Sequence, residues 1–260
     1  MFMDAILEFK REEVRRVFGS PNSQVERARA ARPTRNFVEA ICRDSITAIA
    51  EIKPKSPSRG SFAQAANPIG LALQYQQNGA AALSVLADRR FFGGGPELVE
   101  RVANDPSIFL PVLYKDFVVD EQQIYAARAC GADAVLLIAR AIAKELLREF
   151  VGLTHELGME ALVETFDEGD IVAALTSGAR VIGINNRDLQ TFAVNLDRAT
   201  QLVSLIPQGI VKISESGISS RSDVIRVDRL GFDSMLIGEE LLISSNPGLR
   251  LAQLLTWEDN

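Results

Sequence analysis

The side chains best suited to acid–base chemistry in this sequence are lysines and carboxylates that follow short apolar runs. Glu51 and Lys53 close the run that begins at residue 45, and a spacing of two residues places both on one side of an extended strand. A neighbouring opposite charge determines which partner can give or take a proton. We therefore expect Glu51 and Lys53 to belong to a site of proton transfer.

Similar polar residues follow later apolar runs. They are Lys115 after the third run, Glu164 after the fifth, Asn185 and Arg187 after the sixth, and Glu215 and Ser216 after the seventh. A single charged residue at a strand end is often solvated or part of a structural ion pair. Two lysines, three glutamates, an asparagine and an arginine at the ends of otherwise apolar runs instead indicate one shared site.

The sole histidine, His155, lies where a predicted helix ends near Gly158. A helix carboxyl terminus accommodates histidine for structural reasons alone. Serine–histidine triads and multi-histidine metal sites are therefore disfavoured, and no metal site is expected. Acid–base chemistry must then be carried by lysine, glutamate and aspartate.

Glycines in the last two loops predict a second function for the same rim. Ser216-Gly217 and Gly238-Glu239 each place a glycine where a strand gives way to a helix. Backbone N–H groups exposed at such turns can hold a phosphate, although either glycine alone could be a simple turn residue. Both together, on adjacent loops, favour a phosphorylated small-molecule substrate.

The apolar runs predict the elements that position these residues. They cover residues 45–53, 81–87, 108–115, 132–139, 159–164, 179–185, 209–215 and 232–238, with amphipathic helical segments between them. Strands that alternate with helices imply right-handed crossovers and a parallel sheet, and eight such units suit an α/β fold of the closed (β/α)8 barrel type. An open doubly wound sheet is the alternative, but neither of its phosphate-binding glycine motifs is present.

We predict one barrel domain over residues 1–260, with residues 1–44 as an N-terminal helical extension. Its first helix should stop at Gly19-Ser20-Pro21, and a second helical segment over residues 23–43 should be interrupted near Pro33. The barrel's active site should lie at the carboxyl ends of the strands.

Composition sets the broad class. Of 260 residues, 47% are hydrophobic and 24% are charged, as in an ordinary globular chain. The net charge of -6 disfavours nucleic acid, and the absence of a long apolar run disfavours a membrane, so we expect a cytoplasmic protein. Cys42 and Cys130 match no metal or disulfide spacing and are interpreted as small buried hydrophobic residues.

Six segments together resemble the indole-3-glycerol phosphate synthase family. They are AEIKPKSPSRG at 50–60, LYKDFVVD at 113–120, ALVETF at 161–166, IGINNRDL at 182–189, SESGI at 214–218 and LIGEELL at 236–242. They occur in the family's order and spacing and cover nearly the whole chain. The resemblance implies cofactor-independent ring closure of 1-(2-carboxyphenylamino)-1-deoxyribulose 5-phosphate in tryptophan biosynthesis, with loss of carbon dioxide and water.

The resemblance also implies roles for the residues at the strand ends. Lys115 would protonate the substrate carbonyl, kept available by desolvation at the barrel mouth. Lys53 and Glu164 both remain candidates for the proton donor in dehydration, and Glu51 for the base or for the group that orients Lys53. Asn185 and Arg187 would orient the substrate and Glu164, and Lys53 could also bind the substrate carboxylate. The catalytic set is Glu51, Lys53, Lys115, Glu164, Asn185, Arg187 and Ser216.

The substrate-binding set is drawn from the loops that follow the strands. It comprises Ser56, Phe92, Phe117, Phe192, Glu215, Gly217, Gly238 and Glu239. The phenylalanines would form an apolar wall for the anthranilate ring, and Ser56 to Gly60 is expected to be a mobile lid. The last two glycines, with Ser216 and Glu239, would hold the phosphate through hydroxyl and backbone N–H donors.

Three positions depart from the family pattern. Pro54 stands where relatives often carry a basic residue, Gly95 where serine is common, and Glu240 where a small side chain is common. A carboxylate facing the phosphate would repel it, so Glu240 is expected to point away. These departures bear on substrate affinity and lid behaviour more than on the reaction.

Three other functions compete with this interpretation. A barrel isomerase such as phosphoribosylanthranilate isomerase would need a cysteine base after the first strand, and both cysteines lie elsewhere. A barrel retained only for phosphate binding would have lost its rim charges, which are intact. The same ring closure in a secondary pathway is not distinguishable from one chain. A monomer is expected.

Overall fold

The protein's eight barrel strands are all parallel and closed. In the computed structural model, which describes residues 2–17, 21–57, 59–188 and 190–256, each strand pairs with the next and the eighth pairs with the first. The strands are β1 (Thr47–Ile52), β2 (Ala82–Leu86), β3 (Val112–Lys115), β4 (Ala134–Ile138), β5 (Glu160–Thr165), β6 (Val181–Asn185), β7 (Val211–Glu215) and β8 (Ser234–Ile237). The predicted (β/α)8 fold is confirmed.

The strands are apolar along their length because both of their faces are buried. Alternate residues such as Ile49, Leu113 and Leu162 fill the barrel interior. The intervening residues, such as Val85 and Val163, pack outward against the helices. The third strand begins at Val112, four residues later than the apolar run that predicted it. The residues before it, up to Pro111, are irregular chain.

Helices separate consecutive strands and close the outer layer. They are α1 (Phe2–Val17), α2 (Pro21–Ala30), α3 (Phe37–Ile41), α4 (Pro68–Gln77), α5 (Pro96–Ala103), α6 (Glu121–Ala129), α7 (Lys144–Glu156), α8 (Glu168–Thr176), α9 (Asp197–Leu202), α10 (Arg221–Arg229), α11 (Glu239–Leu242) and α12 (Pro247–Leu255). Side chains of Asp120, Asp167 and Ser220 cap α6, α8 and α10 at their N-termini. No helix of the described ranges is both long enough and apolar enough to cross a membrane.

The three helices before β1 run from one end of the barrel to the other. Met3, Ile6 and Leu7 of α1 share a core cluster with Phe117, which follows β3. Helix α2 packs along α6, and the interruption expected near Pro33 falls between α2 and α3. Of the predicted stop after α1, Gly19 and Ser20 lie outside the described residues.

A buried aspartate fastens this extension to the amino-terminal end of the barrel. Asp133, 1% exposed just before β4, accepts hydrogen bonds from Arg32 at 3.0 and 3.1 Å. The same carboxylate accepts from Nη1 and the backbone N–H of Arg35 and from the backbone N–H of Val112. A charge this deeply buried is tolerated because all of these donors converge on it.

One expectation about the cysteines is wrong. Cys130 is buried as expected, but Cys42 is exposed. Cys42 follows the short α3 as its carboxyl cap, so its side chain lies at the surface, with Sγ 3.9 Å from Asp233 Oδ1. It therefore packs into no core.

His155 has the structural role that its position indicates. It lies in the last turn of α7, and its Nε2 donates to Glu160 Oε1 at 2.8 Å, while Arg180 Nη2 lies 2.9 Å from Glu160 Oε2. Burial raises the pKa of Glu160, but the hydrogen bond from His155 and the charge of Arg180 outweigh it, so the net shift is downward. This carboxylate stabilises the fold when ionised.

We predict that Glu160→Gln destabilises the protein only where the carboxylate is ionised. Its lowered pKa in the folded state means that the contribution is complete above the unfolded pKa of about 4.3 and is lost as pH falls through the folded value. At neutral pH the variant should lose about 1–3 kcal/mol in the free energy of unfolding, measured by urea titration. A difference from wild type that stays constant down to about pH 3 would contradict this account.

Candidate active site

A cavity of about 380 Å³ opens at the carboxyl ends of the strands. It is lined by the whole predicted set: Glu51, Lys53, Ser56, Phe92, Lys115, Phe117, Glu164, Asn185, Arg187, Phe192, Glu215, Ser216, Gly217, Gly238 and Glu239. These residues come from seven of the strands or from the loops that follow them, and the barrel closure brings them together. The cavity therefore lies at the carboxyl ends of the strands, where the barrel fold predicts an active site.

Lys115 lies at the centre of the charged cluster. Its Nζ is 3.3 Å from Glu215 Oε2 and 3.6 Å from Glu164 Oε2. Burial lowers the pKa of Lys115, but the carboxylates of Glu215, Glu164 and Glu51 outweigh burial and raise it above its usual range. Desolvation was expected to keep Lys115 ready to act as an acid, and this cause is wrong. Neighbouring carboxylates, and not desolvation, hold the proton on Lys115.

Glu51 and Lys53 form the second charged pair of the cavity. Lys53 Nζ lies 2.5 Å from Glu51 Oε1, and the glutamate is 4% exposed. Burial raises the pKa of Glu51, but Lys53 and then Lys115 reverse the shift, so the net direction is downward. The predicted placement of this pair on one side of the chain at the end of β1 is confirmed, and the Glu51 carboxyl is ionised at neutral pH.

Two glycines make room for these carboxylates. A Cβ atom at Gly238 would lie 2.2 Å from Glu51 Oε1, and one at Gly183 would lie 2.1 Å from Glu215 Oε1. Glu215 is 1% exposed, and its Oε1 has no hydrogen-bond partner among the described residues. Burial raises the pKa of Glu215 to about 8 despite the opposing charge of Lys115.

We predict that Gly238→Ala lowers kcat by at least about tenfold, since a displaced Glu51 no longer aligns Lys53. The added methyl group would overlap the Glu51 carboxylate and force it to move. Gly152→Ala is the matched control, because a Cβ atom at that position in α7 meets nothing within 4 Å. Steady-state kinetics would decide, and wild-type kcat in folded Gly238→Ala would contradict the prediction.

Arg187 and Asn185 join the cavity to the eighth loop. Asn185 Oδ1 accepts from the Arg187 backbone N–H at 2.9 Å, and Arg187 Nη2 lies 3.3 Å from Glu239 Oε2. Arg59 Nε donates to the other Glu239 oxygen at 2.6 Å. The side chain of Glu239 is therefore occupied by two guanidinium groups.

The end of β7 turns sharply into the cavity. Ser216 has φ +64° and Gly217 has φ +89°, a conformation that is unusual for serine. A Cβ atom at Gly217 would also approach Val194 Cγ1 to 2.7 Å. Backbone strain at a residue that lines a cavity is a mark of functional sites.

Aromatic side chains form one apolar wall. The rings of Phe92 and Phe117 lie 6.0 Å apart, centroid to centroid, with 31° between their planes. Phe192 lines the cavity from the loop after β6, with φ +59°. The backbone N–H of Lys55 donates to Phe92 O at 3.0 Å, which ties the first loop to this wall.

The segment predicted to be a lid forms a short hairpin in the loop after β1. Residues Lys55–Ser56 and Gly60–Ser61 pair as a small antiparallel hairpin, whereas Ser58 lies outside the described residues. The backbone N–H of Arg59 donates to Ser56 Oγ at 3.2 Å within this hairpin.

Glu240 and Gly95 lie at the margins of the site. Glu240 lines the cavity, but its Oε1 accepts from Arg250 Nε at 2.7 Å, in agreement with a carboxylate that points away from the phosphate loops. Gly95 is the N-terminal cap residue of α5. Neither departure removes a charged group from the Lys115 cluster.

Gly183 and Lys10 were not expected near the cavity from the sequence. Gly183 occurs inside an apolar strand, where a glycine signals close approach of another group. Lys10 lies one helical turn from Ile6, Leu7 and Val14, on the buried face of α1. A lysine on the apolar face of a helix indicates a buried cation, and this feature of the sequence could have identified Lys10.

The fold and the cavity define a (β/α)8-barrel enzyme with lysine and glutamate side chains around the cavity at the carboxyl ends of its strands. Residues 3–254 match the model of the indole-3-glycerol phosphate synthase family, and the chain belongs to that family. An indole-3-glycerol phosphate synthase from Carboxydothermus hydrogenoformans is 40% identical, covering 98% of this chain and 100% of its own. One from Beutenbergia cavernae is 44% identical, over 88% and 85%.

Solved structures of other barrels show the fold alone. KGPDC from Streptococcus mutans superposes with a TM-score of 0.60 at 14% identity, over 81% of this chain and 96% of its own. Thiamine phosphate pyrophosphorylase from Pyrococcus furiosus gives a TM-score of 0.58 at 12% identity, over 80% and 93%.

Proposed function

We propose that the cavity closes the indole ring of 1-(2-carboxyphenylamino)-1-deoxyribulose 5-phosphate. The family is one of carboxy-lyases in tryptophan biosynthesis. An anthranilate ring carbon attacks the ketone carbon of the sugar, the carboxylate leaves as carbon dioxide, and the former ketone oxygen leaves as water. The products are indole-3-glycerol phosphate, carbon dioxide and water, which together account for every atom of the substrate.

The observation that carries the proposal is the protonated Lys115, which lies beside Glu215 and Glu164 and within the field of the Glu51 carboxylate. Charge develops on the ketone oxygen as the new carbon–carbon bond forms, and a positioned acid lowers that barrier. Lys115 holds its proton firmly beside Glu215 and Glu164, 3.3 and 3.6 Å away. Its raised pKa favours a strong hydrogen bond to the developing alkoxide over early loss of the proton.

Dehydration requires an acid for the departing hydroxyl and a base for the nitrogen proton, and Glu51 is the proposed base. Lys53 is the proposed donor to the departing hydroxyl, because it lines the cavity and its Nζ is positioned 2.5 Å from Glu51 Oε1. Glu164 lies beside Lys115, so its proposed role is to align that lysine during condensation. Asn185 and Arg187 are proposed to orient the substrate from the sixth strand.

The phosphate and the ring have separate proposed places. The hydroxyl of Ser216 and the backbone N–H groups of Gly217, Gly238 and Glu239 would hold the phosphate. Glu239 is a donor only through its backbone, because its carboxylate would repel an anion and is held by Arg59 and Arg187. The Phe92 and Phe117 rings would pack against the anthranilate ring.

The test is turnover by the purified protein in the presence of a chelator. Mixing it with the carboxyphenylamino-deoxyribulose phosphate should give the rising fluorescence of an indole. A folded protein that binds the substrate and forms no indole would overturn the proposal and favour a barrel that only binds phosphates.

Partners and location follow from the proposed substrate. Because one chain supplies every residue of the cavity, the proposed working form is a monomer built as one domain over residues 1–260. No nucleic acid is required, and a charged sugar phosphate is available to an enzyme in the cytoplasm, which is the proposed location.

A further inference from the structure

A lysine of the N-terminal extension is buried beneath the rim of the active site. Lys10 of α1 is 1% exposed. Its Nζ lies 2.8 Å from Asp116 Oδ1, 3.0 Å from Asp88 Oδ2 and 2.9 Å from Glu13 Oε2. Burial lowers the pKa of Lys10, but Asp116 and Asp88 outweigh burial and raise it above its usual range. The cation therefore remains charged inside the protein.

The two aspartates belong to the loops that carry the proposed site. Asp116 directly follows Lys115, and its Oδ1 also accepts from the backbone N–H of Phe117 at 2.8 Å. Asp88 is fully buried after β2, and its Oδ1 accepts from the backbone N–H groups of Phe91 and Phe92 at 2.6 and 2.9 Å. Lys10 thus joins the second loop to the third.

Aromatic contacts hold α1 over the loop that follows β2 and contains Asp88. The rings of Phe9 and Phe91 meet edge to face at 5.9 Å, and the Arg90 guanidinium lies 4.3 Å from the Phe9 ring. Lys10 itself does not line the cavity, whereas Asp116, Phe92 and Phe117 do. Any effect of Lys10 on chemistry must therefore act through its partners.

Removal of the cation would leave two buried carboxylates facing each other. Removing one partner of a buried ion pair lowers the stability of the folded protein, because the remaining charge has neither solvent nor an opposite charge beside it. The loops would relieve that cost by moving the aspartates toward water. Phe92, Lys115 and Phe117 are attached to those aspartates by backbone hydrogen bonds or by the chain itself, so they would move with them.

We propose that Lys10 is a positioning residue of the active site, which fixes Phe92 and Lys115 relative to each other by bridging Asp88 and Asp116. The proposal rests on the proposed function for its kinetic consequences. The bridge itself can be tested without any turnover.

The test compares Lys10→Met with Arg32→Met. Arg32 fastens the same extension at the opposite end of the barrel, through Asp133 and Gly131 O, and touches neither loop. Lys10→Met should raise KM and lower kcat, with kcat/KM falling between about tenfold and about a thousandfold. Arg32→Met should leave both constants unchanged at temperatures where it is folded, although it melts earlier.

Hydrogen exchange supplies the readout that does not need activity. The backbone N–H groups of Phe91 and Phe92 should exchange faster in Lys10→Met, while the barrel strands keep their protection. In Arg32→Met these two positions should exchange as in wild type. An inactive wild type would refute the proposed function, but the hydrogen-exchange comparison would still test the bridge.

A milder variant covers the case in which Lys10→Met does not fold. Asp88→Asn keeps the oxygen that accepts from Phe91 and Phe92 but weakens the attraction to Lys10. It should raise KM several-fold with little loss of stability. Wild-type KM and kcat in a folded Lys10→Met or in Asp88→Asn would overturn the proposal, as would parallel loss of activity in Lys10→Met and Arg32→Met.

Discussion

Replacement of Lys115 by methionine is expected to reduce ring closure by between about a thousandfold and about ten-thousandfold, the full contribution of a general acid. Methionine retains the length of the side chain but has no proton for the ketone oxygen. Carbon–carbon bond formation should fail first, so substrate persists and no carbon dioxide is released. Indole fluorescence and carbon dioxide release, measured in parallel, report the two events.

The control for this variant is another lysine-to-methionine change. Lys144 is exposed at the start of α7 and does not line the cavity, so Lys144→Met should turn over as wild type. Because Lys115→Met leaves Glu164 and Glu215 without their cation, folding should be verified by thermal melting. Turnover of a folded Lys115→Met within about tenfold of wild type would remove Lys115 from the mechanism.

Lys53→Ala and Glu164→Gln are expected to stall the reaction at different steps. Lys53 is paired with Glu51 and is the proposed acid for the departing hydroxyl, so its loss should slow dehydration by about a hundredfold or more. The decarboxylated, still hydroxylated intermediate should then accumulate. Glu164→Gln weakens the alignment of Lys115 and should slow condensation, so unreacted substrate accumulates instead.

Rapid quenching followed by mass analysis separates these outcomes. The hydroxylated intermediate is heavier than the product by one water, and the substrate is heavier still by carbon dioxide. The assignment of roles would be reversed if Glu164→Gln accumulated the hydroxylated intermediate and Lys53→Ala accumulated substrate. Undiminished turnover in both variants would remove both residues from the site.

The placement of the site was predictable because strand ends in a parallel barrel meet at one rim. Period-two alternation placed Glu51 and Lys53 together, and the polar ends of the third, fifth, sixth and seventh strands supplied the other charged residues. Contacts between residues distant in sequence were not predictable in this way. Gly183 gives room to Glu215, and Lys10 meets Asp88 and Asp116, only because the barrel closes and α1 folds back over it.

The direction of the Lys115 pKa shift could not be predicted from the sequence either. Burial alone would favour the neutral amine, and the sequence gives no distance from Lys115 to any carboxylate. The structure places Glu215 and Glu164 within 4 Å of its Nζ, which reverses the sign. Net electrostatics in a buried cluster depends on such distances, which a strand pattern does not contain.

The most direct measurement follows the substrate carboxylate through a single turnover. Substrate labelled in that carboxylate is mixed with excess purified protein and a chelator, and labelled carbon dioxide and indole-3-glycerol phosphate are quantified together. The account predicts equimolar carbon dioxide and indole product from the wild type, and neither from Lys115→Met. Indole product without labelled carbon dioxide, or substrate that is bound and recovered unchanged from the wild type, would contradict it.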